Sequence, residues 1–195
     1  MLILASSSPR RKELLQGLGL PFVVEVKTVK EDVPADTEPA AVVEMLALRK
    51  AQAVAANHKN GLIIGADTVV VCHDEILGKP RDQQQAKGML KKLQGTDHHV
   101  YSGVAVVNAL NGSSVVTHQQ TKVFLQPMSD EVIARYVATG EPLDKAGAYA
   151  IQGIAAIFVE KIEGCYFNVV GLPINSLAHL LKKMDYHVLD NIDLC

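Results

Sequence analysis

Short apolar runs and helix-spaced apolar positions follow one another along the first part of the chain. Residues 2–5 form an apolar run that leads into a polar loop, and Pro9 stands where a helix favours its first residue. This pattern predicts a strand, a loop and a helix over 10–17. A run rich in β-branched residues at 22–29 predicts a second strand, because such side chains favour an extended backbone.

The next two segments differ sharply in side-chain type. Residues 39–58 are rich in Ala, Leu, Met, Glu and Lys, all good helix formers, so they predict a long helix. Residues 62–71 are almost entirely apolar and β-branched, which is typical of a strand covered on both faces.

Caps and turns divide the second half of the chain. Asp82 with Gln85 resembles a capping box, Asn111-Gly112 is a strong hairpin signal, and Ser129 precedes two acids that suit a helix start. The predicted elements are helices at 86–93, at 129–138 and from Pro173, and strands at 100–109, 115–125, 157–162 and 166–170. Residues 140–153 have no clear period and predict a functional loop or a short helical turn.

Parallel-type strands and hairpin signals occur together, so the pattern predicts an α/β fold with a mixed sheet. The chain has 195 residues, which argues for one domain over 1–195, since domains commonly hold about 100–200 residues. Hydrophobic residues make up 48% of the chain, so a substantial core is expected and disorder is excluded.

Charge and targeting signals narrow the function classes. The formal net charge is −2, which gives no overall basic field for nucleic acid or for an anionic membrane, so any anion site must be local. No apolar run reaches the roughly 20 residues of a membrane span, and residues 1–5 do not resemble a leader. Cys72, Cys165 and Cys195 are far apart and form no CxxC pair. We therefore expect a cytoplasmic protein without a thiolate zinc site.

The segment SSSPRR at residues 6–11 is the first candidate for chemistry. It places hydroxyls and backbone N–H groups at a predicted helix start, together with the guanidiniums of Arg10 and Arg11. A helix N-terminus favours an anion, and one guanidinium can donate two parallel hydrogen bonds to two oxygens of a phosphate. The segment therefore predicts a phosphate site. An ordinary helix cap with solvated arginines explains the same residues about as well.

Asp67 is the most informative acid, because it interrupts an otherwise apolar strand in the motif GADT. A carboxylate in such a place must be paired, hydrated or bound to metal. The structural alternative is a half-buried salt bridge to a lysine such as Lys79. Gly65 and Ala66 are expected to let a ligand approach the backbone, because their side chains are small.

Two lysines and one loop complete the candidates. Lys79 in the tripeptide GKP can bind a phosphate as a point charge, although the tripeptide taken alone favours an exposed turn lysine. Lys50 on the predicted Ala-rich helix is a weaker candidate, since a solvated helix face accounts for it. Residues 144–153 combine small side chains with a few polar groups, as a loop around a ligand needs, and Gln152 can read a base edge or orient a water.

The histidines show neither HxxxH nor HExxH spacing, so histidine-bound zinc is unsupported.

Five segments occur in a fixed order along the chain: SSSPRR at 6–11, GADT at 65–68, GKP at 78–80, DKAGAYAIQG at 144–153 and NVVGLP at 168–173. Together they resemble the Maf (septum-formation-inhibitor-like) family of nucleoside triphosphate pyrophosphatases, over residues 2–181. The segment 144–153 is most similar to the branch that acts on dTTP and UTP, so the resemblance implies these substrates, with modified pyrimidine triphosphates as an alternative. The sister branch that acts on 7-methyl-GTP is the nearer alternative.

The resemblance implies an enzyme that uses a divalent cation to split a nucleoside triphosphate into a monophosphate and pyrophosphate. The cation is expected to be Mg²⁺, with Mn²⁺ or Co²⁺ as alternatives. The implied fold is an inosine-triphosphatase-like one, an elongated mixed sheet flanked by helices, with two lobes and a central cleft. A homodimer is also implied. The residues implied to hold the triphosphate are Ser6, Arg10, Arg11, Lys50 and Lys79.

The resemblance also assigns the acids and the specificity positions. It makes Asp67 the general base and gives the cation to Asp67 and Glu31. Asp32 is adjacent to Glu31, so a shift of one residue would exchange the two acids. The positions tied to substrate choice in the family correspond to Arg10, Thr68 and Gln152.

Two other function classes compete with an enzyme. A nucleotide-sensing module would bind phosphate through the same cationic groups without turnover. Asp67 and Glu31 argue against it, because carboxylates beside phosphates are unfavourable unless a cation lies between them. A nucleic-acid-binding domain is disfavoured by the charge balance and by an aromatic content of 5% with no Trp.

Overall fold

A computed structural model describes residues 1–34 and 36–192. Its strands are β1 (Leu2–Leu4), β2 (Phe22–Val24), β3 (Leu62–Cys72), β4 (Glu75–Leu77), β5 (Asp97–Asn108), β6 (Ser114–Leu125) and β7 (Val159–Glu163). Its α-helices are α1 (Pro9–Gln16), α2 (Pro39–Ala55), α3 (Gln83–Leu93), α4 (Asp130–Ala138), α5 (Tyr166–Val170) and α6 (Ile174–Lys183). Short 3₁₀ helices cover Glu141–Asp144, Ala146–Ala148, Ile154–Phe158 and Val188–Asp190.

The seven strands form one mixed sheet in the order β2-β1-β3-β5-β6-β7, with β4 paired to β3. β1 runs parallel to both β2 and β3, and its residues Leu2 to Leu4 pair with Leu62 to Ile64. β4 and β7 run antiparallel to β3 and β6. The predicted α/β class with a mixed sheet is therefore confirmed.

Several local predictions are also confirmed. Asp82 accepts a hydrogen bond from the N–H of Gln85 at 2.8 Å and begins α3. Ser129 accepts one from the N–H of Val132 at 3.3 Å and begins α4. Asn111-Gly112 lies in the turn between β5 and β6, where Gly112 has φ 73°, a left-handed conformation that glycine adopts without a steric penalty.

Three strand predictions are wrong in extent or type. The strand predicted over 22–29 ends at Val24, because its parallel partner β1 ends at Leu4 and the pairing has nowhere to continue. Residues 166–170 are not a strand but the helix α5. There the buried amide of Asn168 donates to Val100 O at 3.0 Å and to Thr121 Oγ1 at 2.9 Å, so tertiary hydrogen bonds override the β propensity of the aromatic and Val side chains.

The strand predicted over 157–162 begins later, at Val159, because Ile154–Phe158 form a 3₁₀ helix. The region predicted as a loop or short helical turn, 140–153, contains the 3₁₀ helices Glu141–Asp144 and Ala146–Ala148, which confirms that prediction.

The contacts divide the chain into two compact units. The first contains residues 1–67, 102–119 and the chain from Gly171 onwards, and the second contains 68–101 and 120–170. In the first unit, α6 and α1 contribute Leu177, Leu180 and Leu15 to one apolar cluster, and α2 contributes to another. In the second unit, α3 and α4 pack on β5 and β6. The expectation of one domain over 1–195, and that of two lobes about a cleft, stay predictions.

Other predictions concern thiols and membranes. Cys72 and Cys165 are free thiols, and Cys195 lies outside the described residues. Within the described ranges, no helix has both the length and the apolar character needed to cross a membrane.

Candidate active site

The loop before α1 is tied together by Ser6. Its side chain is buried, and its hydroxyl accepts hydrogen bonds from the N–H of Ser8 and from Arg11 Nη1, both at 3.2 Å. Ser8 precedes Pro9 at the helix start and makes no side-chain cap bond among the described residues. An ordinary Ser cap therefore does not explain this segment, and the N-terminus of α1 keeps its preference for an anion.

Arg11 joins three segments of the first unit. Its Nε donates to Gly171 O at 2.8 Å, and its Nη1 donates to Ala66 O at 2.8 Å as well as to Ser6. The pKa of Arg11 is lowered, mainly because the side chain is buried. Attraction by the carboxylates of Asp67 and Glu31 raises this pKa, and repulsion by the Arg10 guanidinium lowers it further. These electrostatic effects mean that both arginines and both acids lie near one another.

The centre of the site is a lysine between two carboxylates. Lys50 Nζ on α2 lies 2.5 Å from Asp67 Oδ1 on β3 and 2.7 Å from Glu31 Oε1. The side chains of Lys50 and Asp67 are only 19% and 12% exposed, whereas that of Glu31 is 62% exposed. The alternative of a solvated helix face therefore does not hold for Lys50. The salt bridge considered for Asp67 is present, and its partner is Lys50 rather than Lys79, the lysine named as an example.

Two glycines explain why Lys50 reaches Asp67. A Cβ at Gly65 of β3 would lie 2.1 Å from Ala47 O, and a Cβ at Gly103 of β5 would lie 2.2 Å from Val43 O, both on α2. Only glycine permits so close an approach of helix to sheet. The prediction that Gly65 makes room for a ligand is thus wrong, because the backbone of α2 fills that space.

Glu31 and its neighbour Asp32 make different contacts. The Glu31 carboxylate contacts Lys50, whereas Asp32 accepts a hydrogen bond from Arg49 Nη1 through its backbone carbonyl, at 2.6 Å. Arg49 Nη1 also donates to Lys30 O at 3.3 Å. Arg49 therefore holds the residues on either side of Glu31, a role that no sequence signal distinguishes from those of the other helix cations.

The donor set suits a hard cation. Within residues 1–34 and 36–192, no three His, Cys, Asp or Glu side chains converge as a metal site. Mg²⁺, however, commonly takes one or two protein carboxylates and completes its shell with water and substrate phosphate. A cationic atom, Lys50 Nζ, already lies between an oxygen of Asp67 and an oxygen of Glu31. The two acids therefore fit a divalent ion that binds together with phosphate.

The remaining predicted residues, Thr68, Lys79 and Gln152, belong to the second unit. Lys79 is exposed. The preceding Gly78 accepts a hydrogen bond from the N–H of Gly147 at 3.1 Å, so the GKP segment and the loop 144–153 are joined. Gln152 Oε1 is buried and has no hydrogen-bond partner among the described residues.

The segment 140–153, which carries Gln152, contains two polar groups that sequence reasoning missed. Tyr149 is buried, and its hydroxyl lies 2.7 Å from Nε2 of the buried His98. Burial lowers the pKa of His98 to about 4 and raises the pKa of Tyr149, so both are neutral at physiological pH. Glu141 is the second missed group; it accepts three hydrogen bonds, and its only sequence signal is its place between Gly140 and Pro142 in an aperiodic segment.

Comparisons with known proteins agree with the resemblance. Residues 1–184 match the family described as Maf-like protein. A protein of Pelotomaculum thermopropionicum named dTTP/UTP pyrophosphatase is 55% identical over 188 residues, covering 96% of this chain and 98% of its own. Proteins with the same name from Desulforamulus reducens and Moorella thermoacetica are 51% and 54% identical, covering 96% and 92% of this chain and 98% and 93% of their own.

Solved structures show the fold alone. The Staphylococcus aureus Ham1 protein is 13% identical and aligns with a TM-score of 0.52 over 94% of this chain and 98% of its own. A HAM1 protein from Coxiella burnetii is 14% identical, with a TM-score of 0.53 over 93% and 98%. The family match covers nearly the whole chain, and with relatives about half identical to it, the chain belongs to the Maf family.

Proposed function

We propose that this chain hydrolyses nucleoside triphosphates, with dTTP and UTP as its substrates, to the nucleoside monophosphate and pyrophosphate. The observation that carries the proposal is the buried carboxylate of Asp67 with Lys50 and Glu31 around it, next to the loop that Ser6 and Arg11 hold. Named relatives of about 50% identity support the substrate class.

The triphosphate would be bound by groups from several chain segments. A substrate with several negative charges needs several cations, although the net charge of the chain is −2. We assign this role to Ser6, Arg10, Arg11, Lys50 and Lys79. Because the Arg11 guanidinium already donates to Ser6 Oγ and to the carbonyls of Ala66 and Gly171, it also fixes the shape of the loop before α1.

Asp67 and Glu31 would hold the divalent cation, which we propose to be Mg²⁺. When bound, the cation supplies charge neutralisation on the phosphate oxygens. The protein contributes two hard oxygens already held near one point by Lys50. Lys50 would then exchange carboxylate partners for phosphate oxygens, so its charge stays paired in both states.

The hydrolytic step would use Asp67 as general base. Its carboxylate accepts a proton from a water that attacks phosphorus, and the bond between the α and β phosphates breaks with pyrophosphate as the leaving group. Lys50 and the arginines stabilise the charge that develops on the phosphate oxygens. A sensing module without turnover would have no use for a buried acid in this position.

Gln152 would choose the base, together with Thr68 and Arg10. Uracil and thymine carry a ring N–H donor between two carbonyl acceptors, which is complementary to an amide that both accepts and donates. The buried Oε1 of Gln152 needs such a donor, because a buried acceptor without a partner is costly. Cytosine presents an acceptor where uracil presents the N–H, so it would leave Oε1, in its present orientation, without a donor.

A panel of triphosphates tests the proposal directly. Purified protein with Mg²⁺ is incubated with dTTP, UTP, CTP, GTP and 7-methyl-GTP, and pyrophosphate and monophosphate are detected separately without added phosphatase. We expect both products from dTTP and UTP. Orthophosphate with nucleoside diphosphate would contradict the cleavage site, preference for 7-methyl-GTP would favour the sister branch, and binding without products would favour the sensing module.

Two further expectations stay predictions. A homodimer is expected because closed two-fold dimers are the commonest oligomers, and light scattering on the purified protein measures the mass. A cytoplasmic location is expected from the sequence, and fractionation of cells that express the protein tests it.

A further inference from the structure

The segment that carries Gln152 is organised around one carboxylate. Glu141 Oε1 accepts hydrogen bonds from the Tyr136 hydroxyl at 3.0 Å and from the N–H of Ala155 at 3.2 Å. Glu141 Oε2 accepts one from the N–H of Ile154 at 2.9 Å. Two of these three donors are backbone groups that follow Gln152 by only two and three residues, so Glu141 fixes the chain directly after the amide.

Gly153 shows how closely the carboxylate approaches the chain. Its φ is 90°, and a Cβ at this position would lie 2.7 Å from Glu141 Oε2. The residue that follows Gln152 must therefore be glycine for Glu141 to reach the backbone. The loop geometry and the carboxylate depend on each other.

The charge of Glu141 strengthens these contacts. Burial pushes the pKa of Glu141 upward, but the hydrogen bonds from Ile154, Ala155 and Tyr136 outweigh it, and attraction by Lys145 adds to them, so the pKa is held below its usual value. The group is thus ionised near neutral pH, and hydrogen bonds to an ionised acceptor are stronger than those between neutral groups.

Gln152 itself has no such anchor at its acceptor end, since its Oε1 has no partner in the described part of the chain. Because the amide acceptor makes no hydrogen bond before a ligand binds, the position of the amide must be set by the backbone of Gln152. Glu141 supplies two side-chain contacts to the chain that follows Gln152, at the N–H groups of Ile154 and Ala155, beside the backbone bond from Ala156 N–H to Gly153 O.

We propose that Glu141 is a positioning residue that sets the place of the Gln152 amide and, through it, the choice among bases. The inference rests on the proposed function, in which Gln152 reads the base. Glu141 makes no contact with substrate in this account. Its effect passes through the backbone of residues 153–155, so it changes discrimination between bases more than the hydrolytic step.

The test is a double-mutant cycle on specificity. Glu141→Gln keeps the size of the side chain but removes its charge, and it is made both in the wild-type chain and with Gln152→Ala. The ratio of kcat/KM for UTP to that for CTP is measured for all four proteins. We expect Glu141→Gln to lower this ratio about fivefold in the wild-type background, the loss expected for one hydrogen bond, and to leave it unchanged when Gln152 is already Ala.

Companion variants separate positioning from general loop damage. Glu141→Asp keeps the charge and is expected to restore part of the ratio, while Tyr136→Phe removes one of the three donors and remains informative if Glu141→Gln fails to fold. Glu131→Gln is the matched control, an exposed carboxylate of the same unit that pairs with Arg135. We expect the control to match wild type.

The outcomes distinguish a failure of the positioning role of Glu141 from a failure of the proposed function. If Glu141→Gln and Tyr136→Phe lower kcat/KM for UTP and CTP by one common factor, or if the effect of Glu141→Gln persists beside Gln152→Ala, Glu141 is only structural and the inference is overturned. Wild-type protein that hydrolyses none of the triphosphates would overturn the proposed function as well.

Discussion

Two regions of the molecule differ in how their polar groups are paired: the acid–lysine cluster of the first unit (Lys50, Asp67 and Glu31) and the Gln152 loop of the second unit (residues 144–153). In the cluster, Lys50 is paired with two carboxylates of the same chain, and close packing of a helix on a sheet brings them together. In the loop, hydrogen bonds to Glu141 fix the backbone, and the amide acceptor of Gln152 stays unpaired.

This difference has a physical reason. Every nucleoside triphosphate carries the same phosphates and binds a cation through them. The charged side chains of the cluster can therefore bind the phosphates and the cation of any of these substrates, and they do not select a base. A base is distinguished by neutral donors and acceptors, and a buried acceptor discriminates because a wrong ligand leaves it unpaired. The comparison predicts that changes to charge or packing act on turnover and stability in the first region, while changes in the second act on selectivity.

The largest effect is expected at Asp67. Asp67→Asn keeps the size of the side chain, but the amide cannot accept a proton from water, so kcat should fall by on the order of 10³-fold. Steady-state rates with UTP and thermal unfolding measure activity and folding separately. A folded variant with wild-type kcat would show that Asp67 is not the general base. A variant that does not fold would favour a purely structural salt bridge between Asp67 and Lys50.

Close packing in the first region can be broken without touching a charge. Gly65→Ala places a Cβ 2.1 Å from Ala47 O, and relieving that clash must push α2 away from β3. Overpacking of this severity should cost about 3 kcal/mol or more, which corresponds to a Tm roughly 10 °C lower in a chain of this size. Turnover should fall too, because Lys50 moves with α2.

Gly88→Ala is the matched control for Gly65→Ala. Gly88 lies within α3 of the second unit, and a Cβ there meets no atom within 4 Å in the described structure. Because Ala favours a helix over Gly by about 1 kcal/mol, this variant should be slightly more stable than wild type. Equal melting temperatures for the two variants would show that the approach of α2 to β3 is not tight.

The sequence could predict most elements of the fold but only parts of the site. Caps and turns such as Asp82 and Asn111-Gly112 act locally, so their patterns are visible in the sequence. The pairing of Lys50 with Asp67 depends on the close approach of α2 to two strands, at Gly65 of β3 and Gly103 of β5, which no local pattern shows. The strand predicted from Tyr166 and Phe167 was wrong for the same reason. The hydrogen bonds that accompany the helix α5 run from Asn168 to residues far away in the sequence.

A smaller effect is expected from Arg49, which holds the backbone on either side of Glu31. Arg49→Gln should loosen this segment and raise the Mg²⁺ concentration at half-maximal activity by on the order of tenfold, as is typical for groups that orient metal ligands. The Mg²⁺ dependence of UTP hydrolysis measures it, and kcat at saturating Mg²⁺ should change little. Arg135→Gln, an exposed arginine paired with Glu131, is the control. An equal loss at every Mg²⁺ concentration would argue against Glu31 as a ligand.

The smallest and most selective effect is expected from Gln152→Ala. Its acceptor is buried and unpaired, so a uracil or thymine N–H is the partner that the proposed function gives it. Losing one neutral hydrogen bond should cost about 1 kcal/mol, a several-fold drop in kcat/KM for UTP and dTTP, while CTP and GTP change less and the Mg²⁺ dependence is unaffected.

The measurement is kcat/KM for UTP, dTTP, CTP and GTP with wild type, Gln152→Ala and Gln84→Ala, where Gln84 is an exposed glutamine on α3 of the same unit. A common fall for all four substrates would mean that Gln152 orients water or supports the loop. A selective fall would mean instead that this loop tells bases apart by an acceptor kept unpaired until substrate arrives. The first region cannot discriminate in this way, because Lys50 already has its carboxylate partners before substrate binds.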